Sequence, residues 1–70
     1  MKLVKVIEVI SVSETGIEDA VHNALAEVSK TVRNIDSVYV KDIKAHVKDG
    51  KVTTWGVDCQ VSFRVEGSEQ

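Results

Sequence analysis

The chain has no proline, a single cysteine, and one residue each of tryptophan, tyrosine and phenylalanine among its 70 residues. With Cys59 alone an internal disulfide is excluded, and no Cys/His cluster carries zinc spacing. The four glycines stand far apart, at positions 16, 50, 56 and 67, so there is no Gly-rich loop to cradle a phosphate. No stretch reaches the ~18–20 apolar residues that a membrane helix needs. Lys2, Lys5 and Glu8 interrupt the first aliphatic segment, which therefore lacks the apolar run of a signal peptide. A free cysteine without an export signal points to the cytoplasm. Nine Lys and Arg against eleven Asp and Glu leave a formal charge of −2, without the basic stripe of a nucleic-acid binder. Nucleic acid and membrane are thus not expected as partners.

What remains is ordinary for a globular protein, 43% hydrophobic and 29% charged. The expectation is one domain over residues 1–66, with 67–70 a flexible C-terminal tail. A domain this small buries a modest fraction of its surface and is marginally stable alone. Disulfide and structural zinc being excluded, self-association is the expected supplement.

Leu3 to Val12 is rich in Val and Ile, which reads as a strand. Its aliphatics fall on both pleat faces: Val4, Val6, Ile10 and Val12 on one, Leu3, Ile7 and Val9 on the other. Such a strand is expected to be covered on both sides. Ser13 breaks the pattern and is placed to cap a helix, with Glu14, Glu18 and Asp19 favouring its positive end. Ile17, Ala20, Val21, Ala24, Leu25, Val28, Val32 and Ile35 then follow helical spacing, one stripe facing a core. The opposite face carries Glu18, His22, Glu27, Lys30 and Arg33. Val38 to Lys48 reads as a second strand whose apolar parity slips, predicting a β-bulge near Lys41 and Asp42. Asp49-Gly50 is a strong hairpin signal. From Val52 to Glu66 the alternation has no error: Trp55, Val57, Cys59, Val61, Phe63 and Val65 share one face. About 45 Å of strand overreaches any core that one helix covers. The fold class is α+β with order β-α-β-β, and its uncovered apolar surface calls for further copies of the chain.

No catalytic constellation is visible, and the chain is read as not being an enzyme; His46 is the only visible candidate for a general base. His22 belongs to the solvated helix face. His46 shares a strand face with Asp42, Lys44 and Lys48, where a mixed-charge surface competes with a metal site because lysines repel cations. Cys59 on the apolar face reads as a buried, inert thiol. Trp55 suits a rim or interface, since its indole N–H needs a partner. Tyr39 points away from the side of Val38 and Val40 and is a candidate stacking surface for a planar ligand.

Several segments taken together resemble one family. They are Val6-Ile7-Glu8-Val9-Ile10, the run from Ser11 to Ala20, Ala24-Leu25-Ala26, Thr31-Val32-Arg33-Asn34-Ile35-Asp36, and Val61-Ser62-Phe63-Arg64-Val65-Glu66. In this order and at this length they resemble the dodecins over nearly the whole chain. The resemblance implies a three-stranded antiparallel sheet partly wrapped around one helix. It also implies a homododecameric hollow shell that binds or stores flavins (riboflavin, FMN or FAD) between subunits. A Trp at the start of the second strand sandwiches the flavin in the family, and a Gln on the third strand hydrogen-bonds it.

Neither residue is present here. The family's aliphatic-Asp-Trp reads Ile35-Asp36-Ser37, and its aromatic-Gln-Val reads Trp55-Gly56-Val57. Stacking contributes about 0.5–1.5 kcal/mol beyond burial, and each lost amide hydrogen bond about 1 kcal/mol. Where the family often places an Arg for a flavin phosphate, Lys44 keeps the charge without the bidentate fork. Ser37, Tyr39, Lys44 and Gly56 are therefore the candidate ligand positions, with Tyr39 able to replace the lost ring. The alternative is a flavin-free shell holding a metal ion such as calcium, as some relatives are described, with Asp42, His46, Asp58 and Glu66 as candidate ligands.

Overall fold

The unbroken alternation of the last strand decides the architecture. In a computed structural model describing residues 3–65, the elements are β1 (Val4–Ser13), α1 (Ile17–Val28), β2 (Ile35–Lys48) and β3 (Lys51–Arg64). β3 lies in the centre of a three-stranded sheet of order β1-β3-β2, antiparallel to both neighbours. Its Val57, Cys59 and Val61 are fully buried against Ala20, Ala24 and Val28 of α1. Ile7 and Val9 of β1 and Val38 and Val40 of β2 pack around that core. The residues expected to share the apolar face of β3 thus make the contact with the helix. Glu66 and residues 67–70 lie outside the described residues, and so does the expected tail. Among the described residues no helix is long and apolar enough to cross a membrane.

The turn signals act as the sequence suggests. Asp49 and Gly50 both adopt positive φ, 53° and 75°, the mirror-image turn that matches strand twist and that glycine makes without steric cost. The register of β2 against β3 shifts between Val40 and Asp42, at the expected bulge. Two further shifts, at Ile35/Ser37 and His46/Val47, were not legible.

Two expectations about the helix are corrected. The helical stripe read to Ile35 outruns α1, which ends at Val28. Ser29 N–H bonds to Leu25 O, Thr31 and Val32 N–H both return to Val28 O, and Asn34 at φ 63° redirects the chain into β2. Val32 and Ile35 nevertheless pack on the same core, so the apolar spacing continued while the backbone changed. Ser13 does not cap α1 directly, because the residue at that position is Gly16, without a side-chain cap bond. Instead Ser13 Oγ accepts from the N–H groups of Thr15 (3.0 Å) and Gly16 (3.2 Å) and donates to Asp19 Oδ2 at 2.7 Å. It ties the end of β1 to the first turn of the helix.

Ser13 is 4% exposed, and removing its hydroxyl takes the acceptor from the part-buried N–H groups of Thr15 and Gly16 and a donor from Asp19. Ser13→Ala is expected to cost about 1–2 kcal/mol in urea unfolding at neutral pH. The same bonds, Ser13's first and Thr15's second, hold the Asp19 carboxyl below its usual value. A lowered carboxylate contributes stability present above its usual pKa of 3.8 and lost as pH falls through the depressed value. The acid limb of the stability profile is therefore expected to flatten in Asp19→Asn; an unchanged limb would show that this network is not coupled to folding.

Candidate functional site

The helix covers only part of the sheet. Twelve helical residues span about 18 Å, whereas the two fourteen-residue strands run about 46 Å, and the chain measures 52 × 20 × 13 Å. Among the described residues no element covers the face away from α1. β1 presents Val4, Val6, Ile10 and Val12 there, between 48 and 73% exposed. The first strand was expected to be covered on both faces; within one chain only its Ile7 and Val9 side is.

Register places the candidate residues on this outer face in successive rows. Val6, Ser62 and Ser37 form one row, and Glu8, Gln60 and Tyr39 the next. Ile10, Asp58 and Asp42 follow, then Val12, Gly56 and Lys44. His46 lies one row further, opposite Thr54. Ser37, Tyr39, Lys44 and Gly56 thus share one face. Ser37 and Gly56 do not share one pocket: the six-residue step from Ser62 to Gly56 separates their rows by about 20 Å. No single planar heterocycle reaches both positions of one chain. Ser37 Oγ is engaged with Ser62 Oγ at 2.6 Å, and Tyr39, 63% exposed, offers its ring one row away.

A groove of about 390 Å³ lies at the hairpin end, between Ile10 and Val12 of β1, Gly56 and Asp58 of β3, and Asp42 to His46 of β2. It is part apolar and part charged, the composition of a small-molecule site. Beside the groove, two carboxylates not joined by any sequence pattern act on each other. Asp58 pushes the Glu8 carboxyl above its usual value, first as a hydrogen-bond partner for its proton and then as a neighbouring negative charge. Lys41 Nζ at 3.9 Å from Glu8 Oε2 partly offsets this. Asp58 Oδ1 is buried without a protein partner. Glu8 and Asp58 meet only because β1 and β3 pair across 50 residues of sequence, so no local spacing could have indicated them.

Among the described residues no three His, Cys, Asp or Glu side chains converge on a metal position. Asp42 and Asp58 face each other in register and His46 stands nearby, while Glu66 lies outside the described residues. Lys48 is carried past the His46 row by the last register shift and pairs with Lys51. His22 is exposed on α1, 3.7 Å from Glu18 Oε2. Cys59 is buried, and burial first, then Asp58, pushes its thiol pKa up, which opposes a nucleophilic role. At the other end of the sheet Lys5, Arg33 and Arg64 line a more open basic groove with Asn34 and Phe63.

Three comparisons agree with this geometry. The family model described as Dodecin matches residues 3–66. The chain is 37% identical over 65 residues to the dodecin of Thermus thermophilus, covering 93% of this chain and 94% of that protein. A crystal structure of a Thermus thermophilus dodecin variant superposes with a TM-score of 0.88 at 36% identity, covering 94% and 98% of the two chains. The dodecin of Streptomyces coelicolor gives 0.87 at 34% identity over 96% of each chain. A calcium dodecin from Mycobacterium tuberculosis, described as calcium-chelating, gives 0.78 at 26% identity over 97% of each. The order β-α-β-β, the central third strand over a single helix and these likenesses together establish that the chain belongs to the dodecin family.

Proposed function

We propose that this chain is a subunit of a homododecameric shell that binds or stores a flavin or similar planar small molecule between subunits, without catalysing a reaction. The observation that carries this reading is the bare outer sheet face. A family member leaves Val4, Val6, Ile10 and Val12 exposed on the same face that holds Ser37, Tyr39, Lys44 and Gly56. Apolar surface of this kind marks an interaction site. The 20 Å between the Ser37 and Gly56 rows means that a ligand touching both positions draws them from different chains. Assembly is then a condition for binding.

The pose differs from the family's. Ser37 offers no ring, so the stacking surface falls to Tyr39, and the polar contact at Gly56 must come from another side chain. Riboflavin is expected to lose fluorescence when titrated with the assembled protein, and more weakly with Tyr39→Ala by a factor of about five to ten. Undiminished fluorescence together with a colourless purified protein would remove the flavin reading.

One feature favours a second reading. Asp42 and Asp58 oppose each other across the sheet, with Asp58 Oδ1 unpartnered, and a relative is described as calcium-chelating. A flavin-free shell holding calcium would gain thermal stability on addition of Ca²⁺, and Asp58→Asn would abolish the gain.

A further inference from the structure

Gly56 lines the hairpin groove and is closely approached from β2. A Cβ built on it would meet His46 Cε1 at 3.1 Å and His46 Nε2 at 3.8 Å. The imidazole therefore stands in space that exists because residue 56 has no side chain. On its other edge, His46 Nδ1 is hydrogen-bonded to Thr54 Oγ1 at 2.9 Å, so the ring is held by its cross-strand neighbour. A neutral imidazole has one donor and one acceptor nitrogen. With Nδ1 committed to the threonine hydroxyl, Nε2 offers the remaining function and has no protein partner among the described residues. The same groove is lined by Asp58, whose Oδ1 is buried without a protein partner, by Lys44, and by the aliphatic side chains of Ile10 and Val12. An apolar floor with a few convergent polar atoms suits a flat ring with a polar edge.

We propose that His46 is the specificity-determining residue of this groove. Its Nε2 meets the polar edge of a planar nitrogen heterocycle, and its ring fills the volume that a longer residue 56 would occupy. This deepens the ligand reading above and rests on it. Positions 46 and 56 act as a coupled pair, because both side chains compete for one space. Introducing glutamine at 56 without removing the imidazole is then expected to harm binding rather than restore it.

The test is a double-mutant cycle, read by riboflavin fluorescence quenching on variants whose assembly is verified by light scattering. His46 is exposed, so its replacement leaves the fold intact. His46→Ala is expected to weaken riboflavin about five- to tenfold, the loss of one hydrogen bond, while His46→Gln, which keeps a polar edge, stays within about threefold of the parent. Gly56→Gln alone weakens binding, and adding His46→Ala to it recovers affinity. Parent-like binding by His46→Ala, or strictly additive effects of the two substitutions, overturns the proposal and leaves the ligand reading standing. Absence of quenching by the parent protein overturns both.

Discussion

Replacing Ile10 with lysine is expected to give a folded chain that no longer assembles. Ile10 is 73% exposed on the outer face and stands opposite Asp58 in the β1–β3 register. In an isolated chain, a lysine there loses little burial and gains a carboxylate neighbour. In a shell that covers this face the balance reverses. Each copy forgoes the burial of an isoleucine, about 2 kcal/mol, and must desolvate an ammonium, which costs several kcal/mol more. Closed symmetry repeats that penalty at every equivalent contact. Light scattering should report the mass of a single chain or small oligomer, while far-ultraviolet circular dichroism keeps the α+β signature. An assembly of undiminished mass would show that the interface lies elsewhere.

The second large effect comes from the neighbouring position on the opposite face. Val57→Lys is expected to abolish folding. Val57 has no exposed surface and packs in the core with Cys59 and Val61 against α1. A charge there has no carboxylate on its own face to meet, since the aliphatic core surrounds it. An unpaired buried charge costs several kcal/mol even after relaxation. A domain of this size has a total stability on the order of 5 kcal/mol, so one such substitution consumes most of it. Thermal melting should show no cooperative transition. A melt within a few degrees of the parent would contradict the assignment of β3 as the central strand. The two lysine variants thus separate the faces of one sheet: one holds the chain folded, and the other is the face proposed to join chains to one another.

Much of this was legible without coordinates because its causes are local. The alternation in β3 identified Val57, Cys59 and Val61 as inward-facing, and they are the fully buried side chains of the core. The Asp49-Gly50 turn and the bulge before Asp42 follow from backbone preferences and from a parity slip within a few residues. The end of α1 was not legible, because Val32 and Ile35 continue the helical apolar spacing while belonging to a turn and a strand. The same core attracts all of them, so the pattern does not register the change of backbone. The Ser13–Asp19 tie was half visible: Ser13 is a capping residue type, but its hydroxyl closes the turn before the helix rather than its first N–H groups.

For the bare sheet face, sequence determined that β1 carries aliphatics on both of its sides, and the resemblance implied that Ser37 and Gly56 stand where the family carries Trp and Gln; from these came the expectation of further copies to cover it. Tertiary structure decided which residues share that face and how far apart they are. Pairing across β3 put Ser37 and Gly56 about 20 Å apart, brought Glu8 beside Asp58, and set His46 over Gly56. The physical reason is that side-chain alternation depends only on successive backbone dihedrals. Register between strands depends on the hairpin turn and three shifts acting together, and one residue of slip would exchange every contact on the two faces.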